Sequence, residues 1–159
     1  MDKKVHYRQQ LDYFEKEFSI NSEYKLAAWQ RSYIEKIKKY LLDKDFKGQT
    51  LIDIGTGSGY VAIEMAKLGI HVIACDLSPQ AIKNLKKYQK DLLLRNLELI
   101  VCNVEKIPLK DNTVDYILAN AILEHIPNEK EAIREWKRIL KPGGRMFVTV
   151  PLKFKFIWP

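Results

Sequence analysis

The spacing of apolar positions changes several times along this chain, and each change marks an element. Within residues 23–42 the apolar side chains fall at Leu26, Trp29, Tyr33, Ile34, Ile37, Tyr40 and Leu41. That is helical spacing with one face inward. Gly48 closes the segment, and residues 51–54, Leu-Ile-Asp-Ile, form a short strand-like run into the turn Gly55-Thr56-Gly57-Ser58-Gly59. Residues 60–68 read as a helix stopped by Gly69, and residues 71–75 as a second strand. Ser78 and Pro79 supply a cap and a first helical residue for a helix to about Arg95. Residues 97–102 and 114–119 are strand-like. Asn128 and Glu131 make a capping box for a helix through Leu140, which Lys141-Pro142-Gly143-Gly144 stops before a fifth strand at 145–150.

Strands alternating with helices predict an α/β fold: a Rossmann-like, doubly wound parallel sheet of order 3-2-1-4-5. Residues 103–113 break the alternation, joining strands three and four with no helical pattern. In that strand order the linker must cross a diagonal of roughly 22 Å, and eleven extended residues reach roughly 36 Å. The crossing needs no helix.

Length and composition narrow the class. The 159 residues suit one domain, 47% apolar and 30% charged, an ordinary globular balance. No apolar run approaches the roughly 20 residues of a membrane helix, and residues 1–6 lack a signal-peptide core. Cys75 and Cys102 each end an apolar run, so each reads as a small buried hydrophobe in a reducing, cytoplasmic compartment. The cysteines and histidines show no metal-ligand spacing. The net charge of +7 permits an anionic partner such as nucleic acid. Nucleic acid is not favoured, because most of the charge is lysine grouped on helix faces: Lys36, Lys38 and Lys39, then Lys83, Lys86, Lys87 and Lys90.

The candidate chemistry lies at the ends of the strands. Glycines in the 55–59 turn let backbone approach a ligand and open the next helix toward it. A dinucleotide fingerprint counted from Gly55 would place its last glycine at Tyr60, which argues against a nicotinamide-dependent oxidoreductase. Asp53, two positions before Gly55, can accept hydrogen bonds from a cationic amino group. S-adenosylmethionine carries such a group and has no pyrophosphate. Asp76, just past the second strand, suits a ribose diol, against the plainer reading of a partner for the Ser78 cap. Leu77 beside it offers adenine an apolar surface. Asn103 can accept from an adenine amino group and the Val104 N–H can reach a ring nitrogen, although an asparagine in a turn needs no ligand to explain it.

The segments 51–60, 75–79, 103–109, 114–127 and 140–144 together resemble the type 11 group of class I methyltransferases, over roughly residues 48–151. The resemblance implies that Gly55 and Gly57 line the methionine end of S-adenosyl-L-methionine, Asp76 holds the ribose, and Asn103 with Val104 meets adenine. Members commonly carry Asp at the Asn103 position. Asn120 matches a position whose backbone faces the methionine amino end, and residues 123–127 are similar to the segment beside the substrate. His125 is a candidate general base, against the plainer reading that it packs or hydrogen-bonds under its loop. Aligned methyl transfer needs no fixed base.

The resemblance implies methyl transfer to a small-molecule, lipid or glycan acceptor. Its rivals are a non-catalytic methyltransferase-like subunit and, further off, an oxidoreductase. It also implies seven strands, whereas five are legible here. The expected organisation is a helical cap segment at 1–47, a cofactor-binding core at 48–151, and an aromatic tail at 152–159 that reads as the start of a missing part. The aromatics His6, Tyr7, Tyr13, Phe14 and Phe18 fit helical packing or a lid. Strand five would be an apolar edge, so dimerisation through it and the tail is expected.

Overall fold

The computed structural model describes Arg8, Gln9, Leu11, Asp12 and residues 24–42 and 44–151. The expected roles of His6, Tyr7, Tyr13, Phe14 and Phe18, and of the tail at 152–159, lie outside the described residues. Five parallel strands form one sheet in the order β3-β2-β1-β4-β5. They are β1 (Thr50–Ile54), β2 (His71–Asp76), β3 (Leu97–Val101), β4 (Val114–Asn120) and β5 (Leu140–Thr149). The helices are α1 (Ala28–Leu41), α2 (Tyr60–Lys67), α3 (Pro79–Asp91) and α4 (Glu129–Ile139).

Alternation along the strands builds two apolar layers. Leu51, Val72, Ala74, Tyr116 and Leu118 face one layer with Ile34, Ile37 and Leu41 of α1, Met65 of α2 and Leu85 of α3. Ile52, Ile54, Ile73, Cys75, Ile117 and Ala119 face the other with Ala132, Trp136 and Ile139 of α4. Cys75 is buried as expected, while Cys102 is only half-buried. Most of the lysines named above are exposed, as a solvated face requires. No described helix is long and apolar enough to cross a membrane.

Several boundaries differ from the sequence expectation, each for a local reason. Helix α1 starts at Ala28, because the Gln30 side chain takes the Ala27 N–H at 2.7 Å and caps the helix there. Helix α3 ends at Asp91, four residues early. Leu93 turns left-handed (φ 54), its N–H reaches Lys90 O at 3.1 Å, and the Leu94 N–H reaches Gln89 O at 3.0 Å. This is a Schellman closure without glycine, and it buries Leu94.

Lys141-Pro142-Gly143-Gly144, expected as a stop ahead of the fifth strand, takes a different place. These residues lie inside β5, not before it. Val114 pairs with Leu140 and Tyr116 with Arg145, so the residues between them bulge out of the ladder. Lys141 Nζ meets both Asp115 carboxylate oxygens at 2.9 Å, and Asp115 also accepts the Thr50 N–H at 2.9 Å. One carboxylate thus joins the starts of β1, β4 and β5.

The 103–113 linker makes its crossing without a helix and is clamped by α4. Glu135 accepts the Ile107 N–H at 2.7 Å, and Arg138 donates to Leu109 O at 2.8 Å and Ile107 O at 3.1 Å. The Trp136 indole donates to Val104 O at 2.9 Å, which fixes the linker where it leaves β3.

Candidate active site at the strand ends

The carboxyl ends of β1, β2 and β4 meet where the strand order reverses, the place an open α/β sheet leaves for a ligand. The turn after β1 is bonded onto β2: the N–H groups of Gly55 and Thr56 both reach Cys75 O, at 2.9 and 3.0 Å. Gly55, Gly57 and Gly59 all have positive φ, which a Cβ disfavours. A Cβ on Gly55 would also lie 2.8 Å from Ile122, and one on Gly59 would enter Leu85 of α3. Two of these glycines are therefore required by packing as well as by backbone conformation, a reason the sequence alone does not display.

Asp53 and Asp76 come together beside this turn. Asp53 is 3% exposed and accepts the Thr56 hydroxyl at 2.7 Å. Burial, with a smaller contribution from Asp76, pushes its carboxyl up to about 6 despite the Thr56 bond. Among the described residues no Lys or Arg pairs with it. Asp76 accepts the Gly57 N–H at 2.8 Å through one oxygen and the Ser78 N–H at 2.9 Å through the other. Asp76 is also the partner of the Ser78 segment, and Ser78 itself caps α3 by accepting the Ala81 N–H at 3.1 Å.

The remaining predicted residues divide into two groups. Leu77 is half-buried beside Asp76, and across the β2–β3 edge Cys102 N–H bonds Asp76 O at 2.9 Å. That contact brings Asn103 and Val104 to the same end. Asn103 Oδ1 accepts the Glu105 N–H at 2.9 Å, so it shapes its own turn, and Val104 is buried. Asn120 ends β4 on the layer that contains Asp53. Its Oδ1 accepts the Thr149 hydroxyl at 2.6 Å, and its Nδ2 donates to the Tyr60 hydroxyl at 3.4 Å. His125 closes a short 3₁₀ turn (Leu123–His125), half-buried, with its N–H on Ile122 O at 2.9 Å.

Sequence reasoning missed Tyr33, Tyr60 and Thr149. Tyr33 of α1 lies 3.4 Å from the Thr149 hydroxyl and packs edge-on to Phe147, while Tyr60 packs edge-on to Trp29. Burial raises the pKa of both phenols, so both stay protonated. Their partners are far away in sequence, which no spacing rule reveals. The structure itself marks the place: Ala121, next to Asn120, has φ 49, a conformation rare outside glycine and common at functional sites, which an alanine in the sequence does not signal.

Comparison with known proteins agrees with this fold. Residues 52–148 match the family model described as Methyltransferase domain, type 11. The chain is 28% identical over 152 residues to a ubiquinone/menaquinone biosynthesis C-methyltransferase of Rickettsia prowazekii, covering 85% of this chain and 61% of that protein. It is 34% identical over 103 residues to a demethylmenaquinone methyltransferase of Listeria welshimeri, covering 63% of this chain and 44% of that protein. The chain thus spans about half the length of the curated relatives it matches. A SAM-dependent methyltransferase structure from Aquifex aeolicus superposes with a TM-score of 0.57 at 28% identity, covering 74% of this chain and 69% of that one. With the family model matching well over half its residues and the sheet order in agreement, the chain belongs to the type 11 methyltransferase domain family.

Proposed function

We propose that this chain binds S-adenosylmethionine at the β1–β2–β4 strand ends and is the cofactor-binding part of a methyltransferase acting on a small-molecule acceptor. The observation that carries the reading is Asp53, a buried carboxylate with no protein cation beside it among the described residues. Such a group is costly unless a ligand supplies positive charge, and the methionine amino group of the cofactor supplies it. When bound, the cofactor provides a sulfonium methyl that is already activated for transfer.

The protein's own residues bind and orient. Gly55 and Gly57 line the methionine end, with the Asn120 backbone beside it. Asp76, a carboxylate at the end of β2, takes the ribose hydroxyls. Leu77 covers one side of adenine, and Asn103 and Val104 meet its edge. Alignment supplies the rate, and His125 serves as a base only where the acceptor must first lose a proton. The residues 1–47 act as a cap, and 48–151 as the cofactor core of a cytoplasmic protein.

The relatives named above carry quinone-biosynthesis names, which favours a ring acceptor of that kind over a glycan. Edge strand β5, with Val148 exposed, favours a homodimer in which two copies pair at this edge. Light scattering of the purified chain tests this: a dimer is expected, and a monodisperse monomer contradicts it. The function is tested by incubating the chain with methyl-labelled cofactor and demethylated quinone precursors. Label in the acceptor supports the proposal. Tight cofactor binding with no transfer to any acceptor favours the non-catalytic subunit instead.

A further inference from the structure

The polar residues at the switch point form a hydrogen-bond chain with one direction. The Thr149 hydroxyl gives its only proton to Asn120 Oδ1 at 2.6 Å. In its 3.4 Å contact with Tyr33, the Thr149 oxygen must therefore accept and the Tyr33 hydroxyl must donate. With Oδ1 fixed as the acceptor, the Asn120 amide turns Nδ2 to its other side, where it donates to the Tyr60 oxygen at 3.4 Å. Tyr60 accepts in that bond and still has its own proton to give. Among the described residues nothing accepts it.

The hydroxyls around Asp53 and Asn120 include those of four residues, Tyr33, Thr56, Tyr60 and Thr149. Thr56 gives its proton to Asp53, Thr149 to Asn120 and Tyr33 to Thr149. Tyr60 alone of the four is uncommitted, and it stands at the first position of α2, directly after the glycine turn. Its phenol is held in the protonated form by burial. The ligand proposed above has a carboxylate on the same carbon as the amino group that Asp53 reads. Among the described residues, the charged side chains placed at this site are Asp53 and Asp76, which both repel a carboxylate, so a neutral donor suits it.

Resting on that cofactor reading, we propose that Tyr60 binds the carboxylate of the cofactor's amino-acid end through its hydroxyl proton. Thr149 and Tyr33 are positioning residues, acting through Asn120 to aim that proton. They touch no ligand in this scheme. The helix α1, which supplies Tyr33, is thereby linked to the ligand by hydrogen bonds as well as by packing.

Calorimetric titration of the full chain with S-adenosylmethionine and with its decarboxylated analogue tests the assignment. The wild type is expected to bind the intact cofactor about tenfold or more tightly than the analogue, the effect of one hydrogen bond to a charged group. Tyr60→Phe is expected to weaken the intact cofactor by about the same factor and leave the analogue nearly unchanged, so the discrimination collapses. Thr149→Val, which frees the Asn120 amide, should also reduce discrimination, and Thr149→Ser should restore it. Wild-type discrimination in Tyr60→Phe would overturn the assignment, and wild-type discrimination in Thr149→Val would overturn the positioning chain. Failure of the wild type to bind either ligand would instead overturn the cofactor reading on which the inference stands.

Discussion

Replacing Asp53 by Asn separates what this carboxylate does for the fold from what it does for the ligand. Asparagine keeps the shape and can still accept the Thr56 hydroxyl, but it carries no charge. In the folded wild type the Asp53 carboxyl is raised from an ordinary 3.8 to about 6. Between those values the folded chain binds more protons than the unfolded chain, so stability falls as pH rises through this window and levels off above about 7. At 1.36 kcal/mol per pH unit the full effect is about 3 kcal/mol, of which about 2 kcal/mol develops between pH 4.5 and 7. Asp53→Asn lacks this slope. Urea denaturation of both proteins at the two pH values should show the variant gaining about 2 kcal/mol on the wild type between them. The ligand side has the opposite sign. A cation binds only the ionised carboxyl, roughly one tenth of molecules at pH 5 and nine tenths at pH 7, so wild-type affinity should rise about tenfold while that of Asp53→Asn stays weak and flat. A stability difference independent of pH, together with wild-type affinity that does not change, would refute the claim that Asp53 is a buried charge awaiting a cation.

Three further substitutions probe the surroundings. Asp76→Ala should weaken cofactor binding by roughly 1–3 kcal/mol in a folded protein, because it removes a charged acceptor; unchanged affinity in calorimetry would put the ribose elsewhere. Gly57→Val forces a branched side chain into the left-handed region (φ 53), so it should abolish saturable binding and cost about 1–2 kcal/mol in chemical denaturation. Retained binding would show that the turn can rearrange. Leu93→Gly acts on a left-handed leucine that is 81% exposed at the end of α3. It should gain up to about 1 kcal/mol, and a loss of that size would mean the leucine packs against something important.

How much of this was legible depends on whether the signal was local. The strands, the 55–59 turn, the Ser78 and Asn128 caps and the sheet order follow from spacing and capping residues close in sequence, and the structure has them. Asp53 and Asp76 stand at strand ends, so counting from Gly55 finds them. The end of α3 was not legible, because its left-handed residue is Leu93 rather than glycine. The Lys-Pro-Gly-Gly bulge was read as a stop because its partner, Asp115, is supplied by a different strand. The Tyr33–Thr149–Asn120–Tyr60 chain spans up to 116 residues of sequence separation and exists only once the fold has brought its members together. The glycines were read as room for a ligand. At Gly55 and Gly59 they are also room for Ile122 and Leu85.

The site formed by Asp53, Gly57 and Asp76 is proposed to take S-adenosylmethionine rather than a dinucleotide. Titration of the purified chain at pH 7 with S-adenosylmethionine, its demethylated product and NAD, followed by calorimetry, tests it most directly. Saturable one-to-one binding of the first two is expected, with no heat of binding from NAD. Saturable NAD binding with no response to S-adenosylmethionine would contradict it.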